Sequence, residues 1–207
     1  MATAGTARGP YRTGRATRKQ IVDEAVRVFG SSGYNGGSLR SIAERVGVSP
    51  GTINRHFASK EDLLNAVLER WSEDVATAID ESSQVGISVL HALRAGMAYH
   101  EEHPHLLSLF LLTATEAGAG DHPGRPFMRT RYSDLLGRYE ESLRRAVQDG
   151  EIAPLDEASI AFEARAIVAF ADGIEIQYLL APDFSLVGAF DDYWERCLQR
   201  WGARHTA

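Results

Sequence analysis

The residues best suited to chemistry sit in one short run, PGTINRH at positions 50–56. At about 100° per helical residue, with Ile53 set at zero, Phe57 falls at about 40°, so these two share an inward side. Arg55 falls at about 200°, Gly51 and Thr52 at about 160° and 260°, and Asn54 and His56 at about 100° and 300°. Gly51, Thr52 and Arg55, flanked by Asn54 and His56, therefore form the outward surface. Such a surface can hydrogen-bond the edges of bases. Arg suits guanine O6 and N7, Asn suits adenine, and Thr suits a thymine methyl or a phosphate. Gly51 lets a groove wall approach the backbone, and Ser49 stands beside it as the N-cap. The alternative is a charged face that is merely solvated. Against it, a helix this short, with an internal Gly and Asn, has poor intrinsic stability and needs packing support.

Other constellations point elsewhere. The run HEEHPH at 100–105 invites a metal reading. Its spacing is wrong for H-E-x-x-H, and Pro104 breaks the helix that would align Glu102 with His105. It reads as a solvated helix end. There is no Ser/His/Asp order with local motif support, no Gly-rich phosphate loop and no metal quartet. No catalytic residue, metal or cofactor is expected, and the chain does not read as an enzyme.

The elements that must position the 50–56 run read as all-α. Residues 1–16 read as a flexible basic arm whose Arg8, Arg12 and Arg15, with Arg18 just beyond, could track phosphates. Thr17 to Gln20 matches a capping box. Ile21, Ala25, Val28 and Phe29 follow on one face, and Gly30 and Gly33 end that helix. Ser38 caps a second helix with Leu39, Ile42, Ala43 and Val46 inward, stopped by Gly47. Ser49-Pro50 opens the third. Ser59 caps a long fourth, with Leu64, Val67, Leu68, Trp71, Val75 and Ile79 at helical spacing. Four or five more helices follow: Ile87 to Glu102, Leu106 to Thr115, Phe127 to Gln148, Leu155 to Leu180, and Phe184 to Trp201. The total is about nine.

Charge divides the chain. Residues 1–60 hold ten Lys/Arg against three Asp/Glu, while the remainder is acidic enough to bring the whole to −6. A basic head for a polyanion and an acidic body that avoids it follow from this. The single Cys197 excludes an internal disulfide and fits a reducing, cytoplasmic setting. The polar N-terminus does not read as a secretory signal, and no stretch reads as a membrane span.

Two runs carry a resemblance. TRKQIVDEAVRVFGSSGY from residue 17, followed by SLRSIAERVGVSPGTINRHFASKEDLL from residue 38, resembles the DNA-binding domain of TetR-family regulators over about a quarter of the chain. The resemblance implies a domain at 17–60 in which a helix-turn-helix binds DNA. A long helix 4 would join it to a ligand-binding and dimerising helical bundle at 61–207. It implies a homodimer on a double-stranded, palindromic operator, released by a small-molecule effector. Arg40, Thr52 and His56 match family positions that contact DNA, Lys60 a lysine facing phosphate, and Ser38 a position that can bond phosphate. Asn54 stands where the family usually has Tyr, and Gly36-Gly37 replaces a Thr-bearing turn.

In the body, a pocket among helices 4 to 8 would be lined by Trp71, His91, Met97, Phe110, Phe127, Tyr132, Phe170, Gln177 and Tyr178. Two apolar stripes end the chain. Ala164, Ile167, Val168 and Ala171 lie on one, and Phe190, Trp194, Cys197 and Trp201 on the other. They face either the chain's own core or a partner, and the resemblance favours the partner. A ligand-responsive repressor is the leading expectation. A helical-bundle enzyme with a vestigial head and a DNA-binding protein without an effector stand as alternatives.

Overall fold

A computed structural model describes residues 10–78 and 89–203. Nine α-helices make up the described residues. They are α1 (Pro10–Gly36), α2 (Leu39–Val46), α3 (Pro50–His56), α4 (Lys60–Ala78), α5 (Val89–Glu102), α6 (Pro104–Ala119), α7 (Arg125–Gln148), α8 (Glu157–Leu180) and α9 (Leu186–Arg200).

Local chemistry fixes the small helices of the head. The Ser38 hydroxyl accepts from the Ser41 backbone and Ser41 reciprocates, closing a capping box at the start of α2. Gly47 ends α2 in the left-handed region, φ 76°, and its N–H reaches the carbonyls of Ala43 and Glu44. Ser49 caps α3 from outside, with Pro50 in its first turn. Ser59 receives the Asp62 N–H at 3.0 Å and opens α4.

The first helix departs from the sequence reading. It begins at Pro10, so Thr17 lies within it and does not mark its start. Proline is pre-set for a first helical turn, and residues 11–17 contain only one residue, Gly14, that opposes continuation. The arm expected over 1–16 is thus helical from residue 10, while residues 1–9 lie outside the described part. In the body, Pro104 likewise starts α6 two residues before the expected Leu106.

Head and body share one core. A single buried cluster contains Ile21, Phe29, Ile42, Ile53 and Phe57 of the head together with Leu64, Trp71, Leu107 and Phe190. The seam between them is the crossing of α1 on α6. A side chain at Gly30 would place its Cβ 2.6 Å from the His105 carbonyl oxygen, so only glycine fits. The Ser108 hydroxyl donates to the Gly30 carbonyl, and Glu116 accepts the Tyr34 N–H at 3.0 Å. A second cluster, around Leu143, Ala146, Ile160, Ile167, Cys197 and Trp201, packs the far end of α7, α8 and α9.

Gly30→Ala is expected to destabilise the protein by about 1–3 kcal/mol, because backbone on both sides must move. Gly137→Ala, in open space on α7, should instead add about 0.5–1 kcal/mol. Urea unfolding of the two variants should move the midpoint in opposite directions. Equal midpoints would remove the α1–α6 contact from the account.

Candidate nucleic-acid interface and effector cavity

The recognition surface follows from how α3 is held. Ile53 is fully buried and Phe57 nearly so, while Gly51, Asn54 and Arg55 are exposed and Thr52 and His56 half-buried. The Arg18 guanidinium lies 4.9 Å from the Phe57 ring centroid, bracing the end of α3 against α1. Ser49 and Thr52 hydroxyls meet at 3.0 Å, and Arg55 donates to the Thr52 oxygen at 3.2 Å. Three outward polar groups are thereby preset side by side.

Four other cations of the head are matched to carboxylates. Arg40 reaches Glu44 at 3.1 Å, Lys19 reaches Asp23 at 2.7 Å, and Arg27 and Arg45 share Glu24. Arg55 bonds a hydroxyl instead, so its charge stays available to an anion. Ser38 and Arg40 are exposed at the start of α2, although the Ser38 hydroxyl is occupied in its cap. Lys60 differs from expectation. It is half-buried, with its ammonium 4.3 Å from the Tyr34 ring centroid, and burial lowers its pKa. It sits at the head–body seam. Arg15 and Arg18 are exposed, whereas the side chains of Arg8 and Arg12 lie outside the described residues.

In the body, the apolar cavity lies between α4, α5, α6, α7 and α8. It encloses about 80 Å³ and is lined by Met97, Phe110 and Tyr132, as expected, together with Val75, Leu93 and Val168. Its polar groups were missed in the sequence: His100, Arg131, Asp172 and Glu175 all face it. His100 is buried, not a solvated helix end, and its Nδ1 lies 2.6 Å from Glu175 Oε1. The Tyr132 hydroxyl donates to Asp172 at 2.9 Å. Burial pushes the Asp172 carboxyl up to about 6, with the Tyr132 hydrogen bond opposing. The Arg131 guanidinium lies 4.1 Å from the Trp71 ring centroid and 5.4 Å from that of Phe110, and burial lowers its pKa.

Several expected lining residues belong elsewhere. Trp71 stacks beneath the cavity wall, 4.8 Å from Phe110 and 5.9 Å from His100. Phe127 lines an adjoining cleft of about 480 Å³ beside α4, which shares Val75, Arg131, Leu135 and Arg138 with the cavity. Phe170 stacks on Tyr193, Tyr178 meets Phe184 edge-on, and Gln177 is exposed. Phe170 and Gln177 project from a flank of α8 that Val168, Ala171, Asp172 and Glu175 do not occupy, while Tyr178, seven residues after Ala171, shares its side nearer the end of the helix. The His91 side chain lies outside the described residues. A larger cleft of about 860 Å³ opens near Tyr34 and Glu61, but exposed Asp121, Arg125 and Arg129 wall it. An apolar lining with a few convergent polar atoms marks the smaller cavity as the effector candidate.

The proposed partner face also requires correction. Ala164, Ile167, Val168, Ala171, Phe190, Cys197 and Trp201 are all buried against this chain's own helices, and Trp194 packs beside them. A residue already sealed inside its own subunit cannot face another. The apolar side chains left in water lie on the opposite side of α8. Phe162 is 68% exposed, Ile176 45% and Leu180 81%.

Comparison with known proteins extends this picture. Residues 21–67 match the family model of bacterial regulatory proteins of the tetR family. The chain is 31% identical over 96 residues to the HTH-type transcriptional repressor AcnR of Corynebacterium diphtheriae. That alignment covers 46% of this chain and 48% of AcnR, so it spans about half of that relative. To the fatty acid metabolism regulator protein of Bacillus subtilis it is 31% identical over 144 residues, covering 64% of this chain and 69% of that protein. The fold matches that of SmeT, the repressor of a Stenotrophomonas maltophilia multidrug efflux pump. In the SmeT–triclosan complex the TM-score is 0.69 at 24% identity, over 92% of this chain and 93% of that one. The Bacillus likeness runs well beyond the matched head into the acidic body. With an anchored recognition helix at its front, this chain belongs to the TetR family of bacterial regulatory proteins and is a DNA-binding transcriptional regulator.

Proposed function

We propose that the protein is a cytoplasmic repressor that binds a palindromic operator as a homodimer and releases it when a small, largely hydrophobic ligand enters the body cavity. The observation that carries this reading is the outward display of Thr52 and Arg55 on a helix pinned by buried Ile53 and Phe57. A helix presented in this way fits a major groove, with Gly51, Asn54 and His56 beside it. Ser38, Arg40 and Ser49 flank it for phosphate contact, and Lys60 completes the set only if its ammonium leaves the Tyr34 ring. The division into a head at 17–60 and a body at 61–207 belongs to the same reading.

Two recognition helices must sit about 34 Å apart to read successive major grooves, which requires a dimer. The exposed stripe of α8 suits that role. Phe162, Ala166, Ala169, Gly173, Ile176 and Leu180 recur at alternating spacings of four and three, the pattern of a helix seam. Small residues at its centre allow close approach of a twofold-related copy. The effector reading rests on the polar groups converging on the cavity. SmeT, a protein of the same fold, takes triclosan. A coupling of roughly 1–3 kcal/mol between the sites would make a useful switch, and α4, which begins beside α3 and carries Trp71 under the cavity, is its path.

Arg55→Ala is expected to weaken operator binding by about 1–3 kcal/mol in a gel-shift titration. Unchanged affinity would remove Arg55 from the readout. The double variant Phe162→Asp, Leu180→Asp should sediment as a monomer where the unaltered protein sediments as a dimer, and should lose operator affinity with it. A dimer that survives both charges would place the partner face elsewhere.

A further inference from the structure

We propose that the effector is a compact carboxylate, whose anionic head takes the Arg131 guanidinium and thereby releases it from the Trp71 ring on α4. This deepens, and rests on, the reading of the body as ligand-responsive.

Counting charges does not select the ligand's sign, because Arg131 and Arg138 face the cavity together with Asp172 and Glu175. Hydrogen-bond accounting does. Glu175 already holds His100 at 2.6 Å, and Asp172 already holds the Tyr132 hydroxyl at 2.9 Å. A cationic ligand would have to break into one of these pairs. Arg131 is in the opposite condition. Among the described residues no carboxylate lies within ion-pair distance of it, and its Nε is buried without an acceptor. A buried donor without an acceptor is costly, more so when it is charged. An anionic ligand would add bonds here and break none between the protein's own polar groups.

The geometry suits a planar acid. The guanidinium carbon lies over two rings, 4.1 Å from the Trp71 centroid and 5.4 Å from that of Phe110. Among the described residues, ring contacts leave the N–H groups of the fork without acceptors, Nε included, and that fork matches a carboxylate. His100, whose Nε2 is also buried without a partner, lines the same cavity from α5. The cavity of about 80 Å³ equals the liquid volume of fewer than about three waters. It therefore takes little more than a carboxylate head, and a short tail extends into the adjoining cleft of about 480 Å³ that Arg131 also lines, whereas a long chain would have to displace the wall.

The link to DNA runs through one contact. Trp71 belongs to α4, whose first residue, Lys60, follows the recognition helix after Phe57, Ala58 and Ser59. Drawing Arg131 toward a ligand removes the cation from the Trp71 face and changes how α4 seats on α7.

The test is calorimetric titration of the full chain with butyrate, benzoate and decanoate, each beside its amide and its amine of the same carbon skeleton. Butyrate and benzoate are expected to bind at least tenfold tighter than butyramide and benzamide. Arg131→Gln should shrink that ratio to less than twofold, and Arg131→Lys should keep part of it, with thermal melts confirming that both variants fold. Benzoate should also change tryptophan emission in the unaltered chain but not in Trp71→Phe. Decanoate binding with butyrate and benzoate silent would overturn the compact ligand in favour of a long-chain acid that opens the wall. Amides or amines binding as well as the acids would overturn the carboxylate assignment and leave a ligand-responsive body intact. Silence from all nine compounds would overturn both. Carboxylates that bind through Arg131 without loosening DNA in a gel shift would uphold the site and overturn the release reading.

Discussion

Everything the head can do depends on two side chains, Ile53 and Phe57. A helix of seven residues is far below the length at which isolated helices hold together in water. Burying this pair fixes both the existence of α3 and its rotation about its own axis. That rotation decides which residues meet a duplex. Turned by half a revolution, the same sequence would hide Arg55 and present hydrocarbon. The surrounding caps at Ser38, Ser49 and Ser59 and the turn at Gly47 secure the entry and exit of each short helix, but they do not set its phase.

The same anchor ties the recognition surface to the body. Ile53 and Phe57 belong to the buried cluster that also contains Trp71, Leu107 and Phe190. The head is therefore not a bead on a tether. The close crossing at Gly30 and the Glu116 contact to the Tyr34 backbone seat α1 on α6, while α4 leads from α3 to the cavity. A change in packing under Trp71 thus has a contiguous route to α3, along elements that share one core. Lys60 stands on that route, half-buried over Tyr34, which explains why its ammonium is not simply displayed to solvent.

Much of this was legible in the residues. Caps are local, so Ser38, Gly47, Ser49 and Ser59 announced their helices, and the phase of residues 50–57 named the buried pair. Other features depended on contacts the chain makes at a distance. Arg131 follows Met128 by three residues and precedes Leu135 by four, so its place on the inward face of α7 was open to periodicity, but a charged residue there was passed over. Asp172 and Glu175 interrupt an apolar face in the same way. The α8 stripes show a harder limit. That helix is apolar nearly all round, and periodicity cannot say which side a neighbour of the same chain covers. Ala164 and Ile167 proved to be the inner side, Phe162 and Leu180 the outer. The start of α1 obeys Pro10, a quieter signal in the sequence than the capping pattern at Thr17.

The central claim is that α3 reads duplex DNA in pairs. Selection of bound sequences from a random double-stranded pool by the full chain, at physiological salt, tests it most directly. The account predicts enrichment of an inverted repeat whose half-site centres lie about one helical turn, or a multiple of it, apart. A pool that leaves the selection as random as it entered would contradict it.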